Sequence, residues 1–235
     1  MRSARFLLCA CPAVLSALAG CSGPDPPSEA AVADTGGPLS VYAVNYPLQY
    51  FAERVGGTAV RVSLPVPADA DPAFWKPGPE QIAAYQAADL ILLNGGSYAK
   101  WVDRASLPAS RTVDTSASFA DRLIRSAGDV THRHGEQGVH DHGDVAFATW
   151  LDPLQAIAQA RTVRDALVRL RPDNAREFNQ RFESLETDLL ALDAHLVSLG
   201  SKPVVFLDFD PCANTPETGD YMTVMTENVR RLQEQ

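Results

Sequence analysis

The run Arg171–Gly200, RPDNAREFNQRFESLETDLLALDAHLVSLG, decides the fold. Its large apolar residues Phe178, Phe182, Leu185, Leu189, Leu192, Leu196 and Leu199 are spaced alternately four and three apart. Residues at those spacings stack on one face of an α-helix, so the whole set forms a single stripe. Pro172 suits a first helical turn, where its missing N–H is no loss, and Asp173 places negative charge near the positive end of the dipole. Gly200 supplies the stop. This spine is long for a globular helix. A long α/β pattern precedes it, and a short remainder follows.

The chain of 235 residues is 46% hydrophobic and 21% charged, with a formal net charge of −9. That is ordinary globular composition, enough for one good core. The acidic balance argues against nucleic acid as a partner, which calls for a basic stripe. Residues 1–20 read as a targeting segment: Arg2 and Arg5, then an apolar run from Phe6 to Leu18, then Leu18-Ala19-Gly20-Cys21. Small residues before a cysteine in this setting resemble a lipoprotein signal, with Cys21 lipidated as the new N-terminus. The alternatives are an ordinary secretory signal or a short helix. The expected location is the cell envelope, anchored to the membrane by lipid on its extracytoplasmic, periplasmic side. Cys9 and Cys11 would leave with the signal, so Cys212 has no partner for an intramolecular disulfide. Residues 21–39, rich in Pro, Gly, Ser, Asp and Ala, read as a flexible tether.

Residues 40–152 are expected to form an N-terminal lobe. Strands are predicted at Ser40–Val44, Val60–Val66, Asp89–Asn94 and Arg111–Asp114. Helices are expected over Leu48–Val55 and Pro79–Ala88, around Trp101, and over Ser118–Arg125. Alternation of this kind argues a parallel sheet flanked by helices, an α/β fold. In such sheets ligands bind beyond the carboxyl ends of the strands. Asn45, Trp75, Lys76 and Asn94 fall there and are candidate cleft-lining residues, although asparagine at a strand end is also ordinary turn chemistry.

Residues 129–144 have an unusual composition. His132-Arg133-His134 and His140-Asp141-His142 stand among glycines and acids. Neutral imidazole is the commonest metal ligand, so His132, His134, His140 and His142 with Asp141 can supply a zinc set. Ordering such a loop costs entropy, and the expected affinity is modest. The competing reading is a polar loop with no physiological metal. After Thr149-Trp150-Leu151-Asp152-Pro153 a helix is expected to Leu170, with Asp152 as its N-cap. Residues 153–200 are thus expected to be a helical linker and spine leading away from the first lobe.

These motifs together resemble the zinc/manganese periplasmic solute-binding proteins of ABC importers, the cluster A-I type. The correspondence runs from Val41 to Leu207. It rests on Asn45-Tyr46-Pro47-Leu48, Asp71-Pro72, Pro77-Gly78-Pro79, the histidine-rich loop, Trp150-Leu151-Asp152-Pro153 and the spine. The resemblance implies two α/β lobes joined by one long helix, a metal between them held by three histidines and a carboxylate, and an ABC permease as partner. It also implies loss of that site here. The first ligand position holds Ala73, the second Ala148, and the third falls in Val204–Leu207; Lys76 replaces an acidic residue. Aliphatic side chains have no lone pair to donate. Phe209-Asp210-Pro211 resembles the family's late strand that carries the carboxylate ligand, which makes Asp210 a further candidate cleft-lining residue; the alternative is an ordinary strand-end aspartate.

Residues 201–235 resemble a rudimentary, truncated C-terminal lobe, shorter than the roughly 40 residues an unaided fold needs. Val204–Phe206 and the final helix are therefore expected to pack on lobe one or the spine. No nucleophile–base pair and no paired acid/base motif is present, so an enzyme is not expected. The expected function is that of an extracytoplasmic zinc-importer lipoprotein that handles metal, if at all, through the histidine-rich loop. The alternative is a degenerate solute-binding module or interaction scaffold that binds no metal.

Overall fold

The computed structural model describes residues 36–124, 131–133, 139–141, 146–200 and 209–234. The described residues from Gly37 onward form one compact unit. Among the described residues, β1 (Leu39–Ala43), β2 (Val60–Ser63), β3 (Leu90–Leu93) and β4 (Thr112–Asp114) make a parallel sheet in the order β2-β1-β3-β4. Val41 stands opposite Val62 on one side and Leu90 on the other, and Leu92 opposite Val113. Leu90, Ile91 and Leu92 are fully buried, as befits a parallel strand covered on both faces. In β1 the buried Leu39, Val41 and Ala43 alternate with Ser40 and Tyr42, which are half-buried. Tyr42 meets Tyr85 edge-on at 5.0 Å, and the Tyr85 hydroxyl donates to the Ala43 carbonyl at 2.8 Å. This pins α2 (Pro79–Ala87) to the sheet.

A helical layer comprises α1 (Tyr46–Gly56), α3 (Pro153–Leu170) and α4 (Ala175–Leu199), which pack on one another. The stripe of α4 performs as its spacing predicts. Phe178, Phe182, Leu185, Leu189 and Leu192 are buried, and Leu196 and Leu199 are half-buried toward the helix end. The helix begins at Ala175 because Pro172–Asn174 makes a separate 3₁₀ turn. The expectation that α3 and α4 lead away from the first lobe is corrected here. Both join its core, because α3 buries Ala156, Ile157, Ala160, Val163 and Leu167 along one side and α4 completes the layer. Asp152 caps α3 by accepting from the Leu154 and Gln155 amides.

Two expected helices are only 3₁₀ turns. Val102–Arg104 is a single turn after the Gly95–Ser97 bend, and Ala117–Arg122 is broken where Phe119, fully buried, adopts a non-helical φ of −136°. Beyond the sheet, β5 (Thr131–Arg133) and β6 (Val139–Asp141) form an antiparallel ribbon. The final helix, α5 (Tyr221–Gln233), packs against α4 and α1 as expected for this segment, while Val204–Phe206 lie outside the described residues. Its N-cap Asp220 accepts from the Thr223 amide at 2.9 Å. Partial burial opposes ionisation of Asp220, but hydrogen bonds from the Thr223 amide, the Thr223 hydroxyl and Tyr50 outweigh it and hold its carboxyl below the usual range.

Candidate functional site

The carboxyl ends of β1, β3 and β4 converge on a buried polar centre. Asn45, just past β1, is fully buried and caps α1 by accepting from the Leu48 amide at 3.3 Å. Its Nδ2 donates to Asn94 Oδ1 at 3.2 Å. Asn94, just past β3, receives a second bond from Gln159 Nε2 at 3.2 Å and donates from its own Nδ2 to the Phe147 carbonyl at 2.8 Å. Gln159 Nε2 also reaches Thr115 Oγ1 at 2.9 Å, and Thr115 Oγ1 donates to the Leu93 carbonyl at 2.9 Å. Asn94 and Gln159 together thereby tie three strand ends to α3. The turn beside it runs through Gly95, Gly96 and Ser97, all at positive φ. A Cβ on Gly95 would stand 1.8 Å from Ser116 Oγ and 2.3 Å from Asp114 Oδ1, so glycine is obligatory there.

The C-terminal segment lies against these strand ends. The Tyr46 amide donates to the Ala213 carbonyl at 3.0 Å, and Trp150 Nε1 donates to the Pro211 carbonyl at 2.7 Å. Asn214 Nδ2 donates to the Pro67 carbonyl at 2.8 Å and the Ala70 carbonyl at 2.9 Å, in the loop after β2. Tyr221 is fully buried, edge-on to Phe51 at 5.3 Å, with its hydroxyl on the Trp150 carbonyl. Cys212 is buried between these contacts. Burial, reinforced by the nearby Asp210 and Asp220, pushes its thiol up to about 12, so it stays protonated at neutral pH.

The candidate cleft residues fall in three places. Asn45 and Asn94 meet in the polar centre. Trp75 and Lys76 line a cavity of about 390 Å³ formed by the loop after β2, the start of α2 and the turn at Trp101. Asp210 sits apart, its Oδ1 accepting from the Cys212 amide at 2.7 Å and its backbone paired with the Asn228 side chain at 2.7 and 3.2 Å. Ala73 is buried and Ala148 half-buried. Among the described residues no group of three or more His, Cys, Asp or Glu side chains is placed to hold a metal ion. In the histidine-rich loop, His132 stands opposite His140 and Thr131 opposite Asp141 in the β5–β6 register. His134, His142 and the lipidation candidate Cys21 lie outside the described residues.

Sequence reasoning missed Gln159, whose position between Ala156 and Val163 on the buried side of α3 was a readable signal. It also missed Trp101, Lys100 and Arg104 as companions of Trp75 and Lys76. Gln159 Oε1 and Tyr98 Oη are buried without a hydrogen-bond partner among the described residues. The Tyr98 ring is edge-on to Phe147 at 5.2 Å and to Trp150 at 5.4 Å, and burial drives its phenol well above the ordinary value.

A family model described as ZnuA, zinc-uptake complex component A, periplasmic, matches residues 41–202. The chain belongs to this family. Among curated relatives, the high-affinity zinc uptake system protein ZnuA of Bacillus subtilis is 25% identical over 193 residues, 81% of this chain and 59% of that protein. The iron-binding protein YfeA of Yersinia pestis is 26% identical over 149 residues, 63% of this chain and 45% of that one. The chain therefore spans less than two thirds of the length of either. The fold matches the Zn(II)-bound ZnuA-like domain of Streptococcus pneumoniae AdcA with a TM-score of 0.67 at 16% identity, over 84% of this chain and 98% of that domain. No helix among the described residues is long and apolar enough to cross a membrane.

Proposed function

We propose that this family member is a non-enzymatic, extracytoplasmic component of a zinc ABC importer, tethered through a lipidated Cys21, that handles zinc through its histidine-rich loop and not through a site between lobes. Its partner is then the ABC permease of a metal importer. The observation that carries the reading is the state of the strand ends. Alanine occupies positions 73 and 148, where the family resemblance calls for histidine, and the Asn45 and Asn94 side-chain amides have both their oxygen and their nitrogen engaged within the fold. A buried amide whose donors and acceptor serve the fold has little left for a ligand. Asp210 has no histidine companions among the described residues, and the Cys212 thiol is protonated.

The opposed His132 and His140 support the loop as the zinc-handling element, since directly opposed positions of an antiparallel ribbon are neighbours. His134, His142 and Asp141 complete the proposed set. The test is a zinc titration of the intact protein beside the variant carrying His132→Ala, His134→Ala, His140→Ala and His142→Ala. The expected result is one zinc-dependent transition of modest affinity, absent from the variant. It should weaken as pH falls through about 6.5, because protonated imidazole cannot ligate. Tight zinc uptake by the variant would place the metal elsewhere and overturn the proposal.

A further inference from the structure

The geometry points to a second binding site, for a small organic anion with a flat apolar body, in the cavity beside Trp75. This site is independent of the zinc reading. The cavity, about 390 Å³, is within the range of small-molecule pockets. Its apolar lining includes Trp75, Trp101 and Ile82, and its charged lining consists of Lys76, Lys100 and Arg104. Among the described residues no acidic side chain lines it. In a chain of net charge −9 that is a local reversal of sign. Two other cavities have the opposite lining: one carries Asp103 and Asp114, the other Asp210, Glu217 and Glu227 against Arg231. An anion is drawn to the first and repelled by the other two.

The lining is held in place before any ligand arrives. Trp101 is 9% exposed and packs on Tyr85 at 4.9 Å, which is itself bonded to the sheet. Trp75 crosses Trp101 edge-on at 6.3 Å and an angle of 83°, and stays half-buried with part of its ring accessible. The loop carrying it is fixed by the Trp75 amide on the Asp71 carbonyl at 2.9 Å and by the Ala73 amide on Asp71 Oδ1 at 2.9 Å. Rigid aromatic walls reduce the ordering cost of binding. Lys76, Lys100 and Arg104 are exposed at the edge, where ammonium and guanidinium groups can donate to a carboxylate. An apolar wall with a cationic edge selects a ligand having one flat face and one negative end.

The experiment uses the full chain with 2-naphthoate as probe and neutral 2-naphthamide as its uncharged counterpart, each titrated calorimetrically at low salt. The acid should bind about tenfold or more tightly than the amide, and the preference should shrink as salt screens the exposed cations. The combined Lys76→Gln, Lys100→Gln and Arg104→Gln variant, altered only at exposed positions, should lose the preference while keeping its thermal midpoint. Trp75→Ala should weaken both probes. Equal affinity for acid and amide, no detectable binding of the acid, or a preference that survives the triple variant would each overturn the assignment. Repeating the titration in the loop-histidine variant should leave it unchanged, which separates this outcome from that of the zinc test.

Discussion

The strand-end centre and the histidine-rich loop use polar side chains in opposite ways. At the strand ends, Asn45, Asn94, Thr115 and Gln159 are buried and bonded to one another and to backbone carbonyls. In the loop, His132, His140 and Asp141 fall on a two-stranded ribbon of three residues per strand. Polarity at the first site serves the fold, and polarity at the second is proposed to serve a ligand. The two kinds of site should therefore fail differently: damage to the first is read in stability, damage to the second in zinc uptake.

The largest expected stability effect is at the joint between the C-terminal segment and the sheet. Tyr221→Ala removes a fully buried ring and the hydroxyl bonded to the Trp150 carbonyl. It should cost about 3–5 kcal/mol, measured by urea unfolding, with the zinc stoichiometry of the folded fraction unchanged. A cost under about 1 kcal/mol would mean that this segment is not part of the lobe's core. Asn94→Ala should come next, at about 2–3 kcal/mol, because it strands the amides of Asn45 and Gln159 and the Phe147 carbonyl. In a double-mutant cycle, Asn94→Ala and Gln159→Leu should be clearly non-additive; additivity would show that the centre is not a connected network.

Asp220→Ala should cost about 1 kcal/mol at neutral pH, the ordinary worth of an N-cap. Its pH dependence has a definite sign. The carboxyl is held below its ordinary value in the folded state, so its contribution is present above the unfolded value near 4 and is lost as pH falls through the lower folded value. Wild type and variant should converge in stability toward acid pH and differ most at neutrality. A difference that grows on acidification would contradict the cap.

The fold was largely legible because its strongest elements carry strong periodicity. The α4 stripe and the continuous apolar run of β3 each have one sensible reading, and errors there are confined to the ends: one residue at each end of β3, and the first turn of the spine, which is a separate 3₁₀ turn. The Trp101 and Phe119 segments were misread as helices because each has only a few residues between turn-forming neighbours, and packing of Phe119 overrides local preference. The docking of residues 210–214 on the strand ends was invisible, since backbone amides and carbonyls bonding across more than a hundred residues leave no periodic trace. Asn45 and Asn94 were visible as strand-end residues. Their mutual bond depends on β1 and β3 being sheet neighbours, a topological fact and not a local one.

The smallest expected effect falls on the residue where the comparison can most easily be broken. Asp210 resembles the family's carboxylate only by its sequence setting, and its Oδ1 here accepts from the Cys212 amide while Asn228 clamps its backbone from both sides. Asparagine presents the same acceptor at that position without the charge. Asp210→Asn should therefore leave both the unfolding midpoint and the zinc titration unchanged within error. A carboxylate bound to zinc would behave otherwise, because a neutral amide is a far poorer partner for a divalent cation and affinity would fall sharply. Loss of zinc uptake in Asp210→Asn with the loop histidines intact would move the metal from the ribbon to the strand ends, and the contrast between the two regions would vanish.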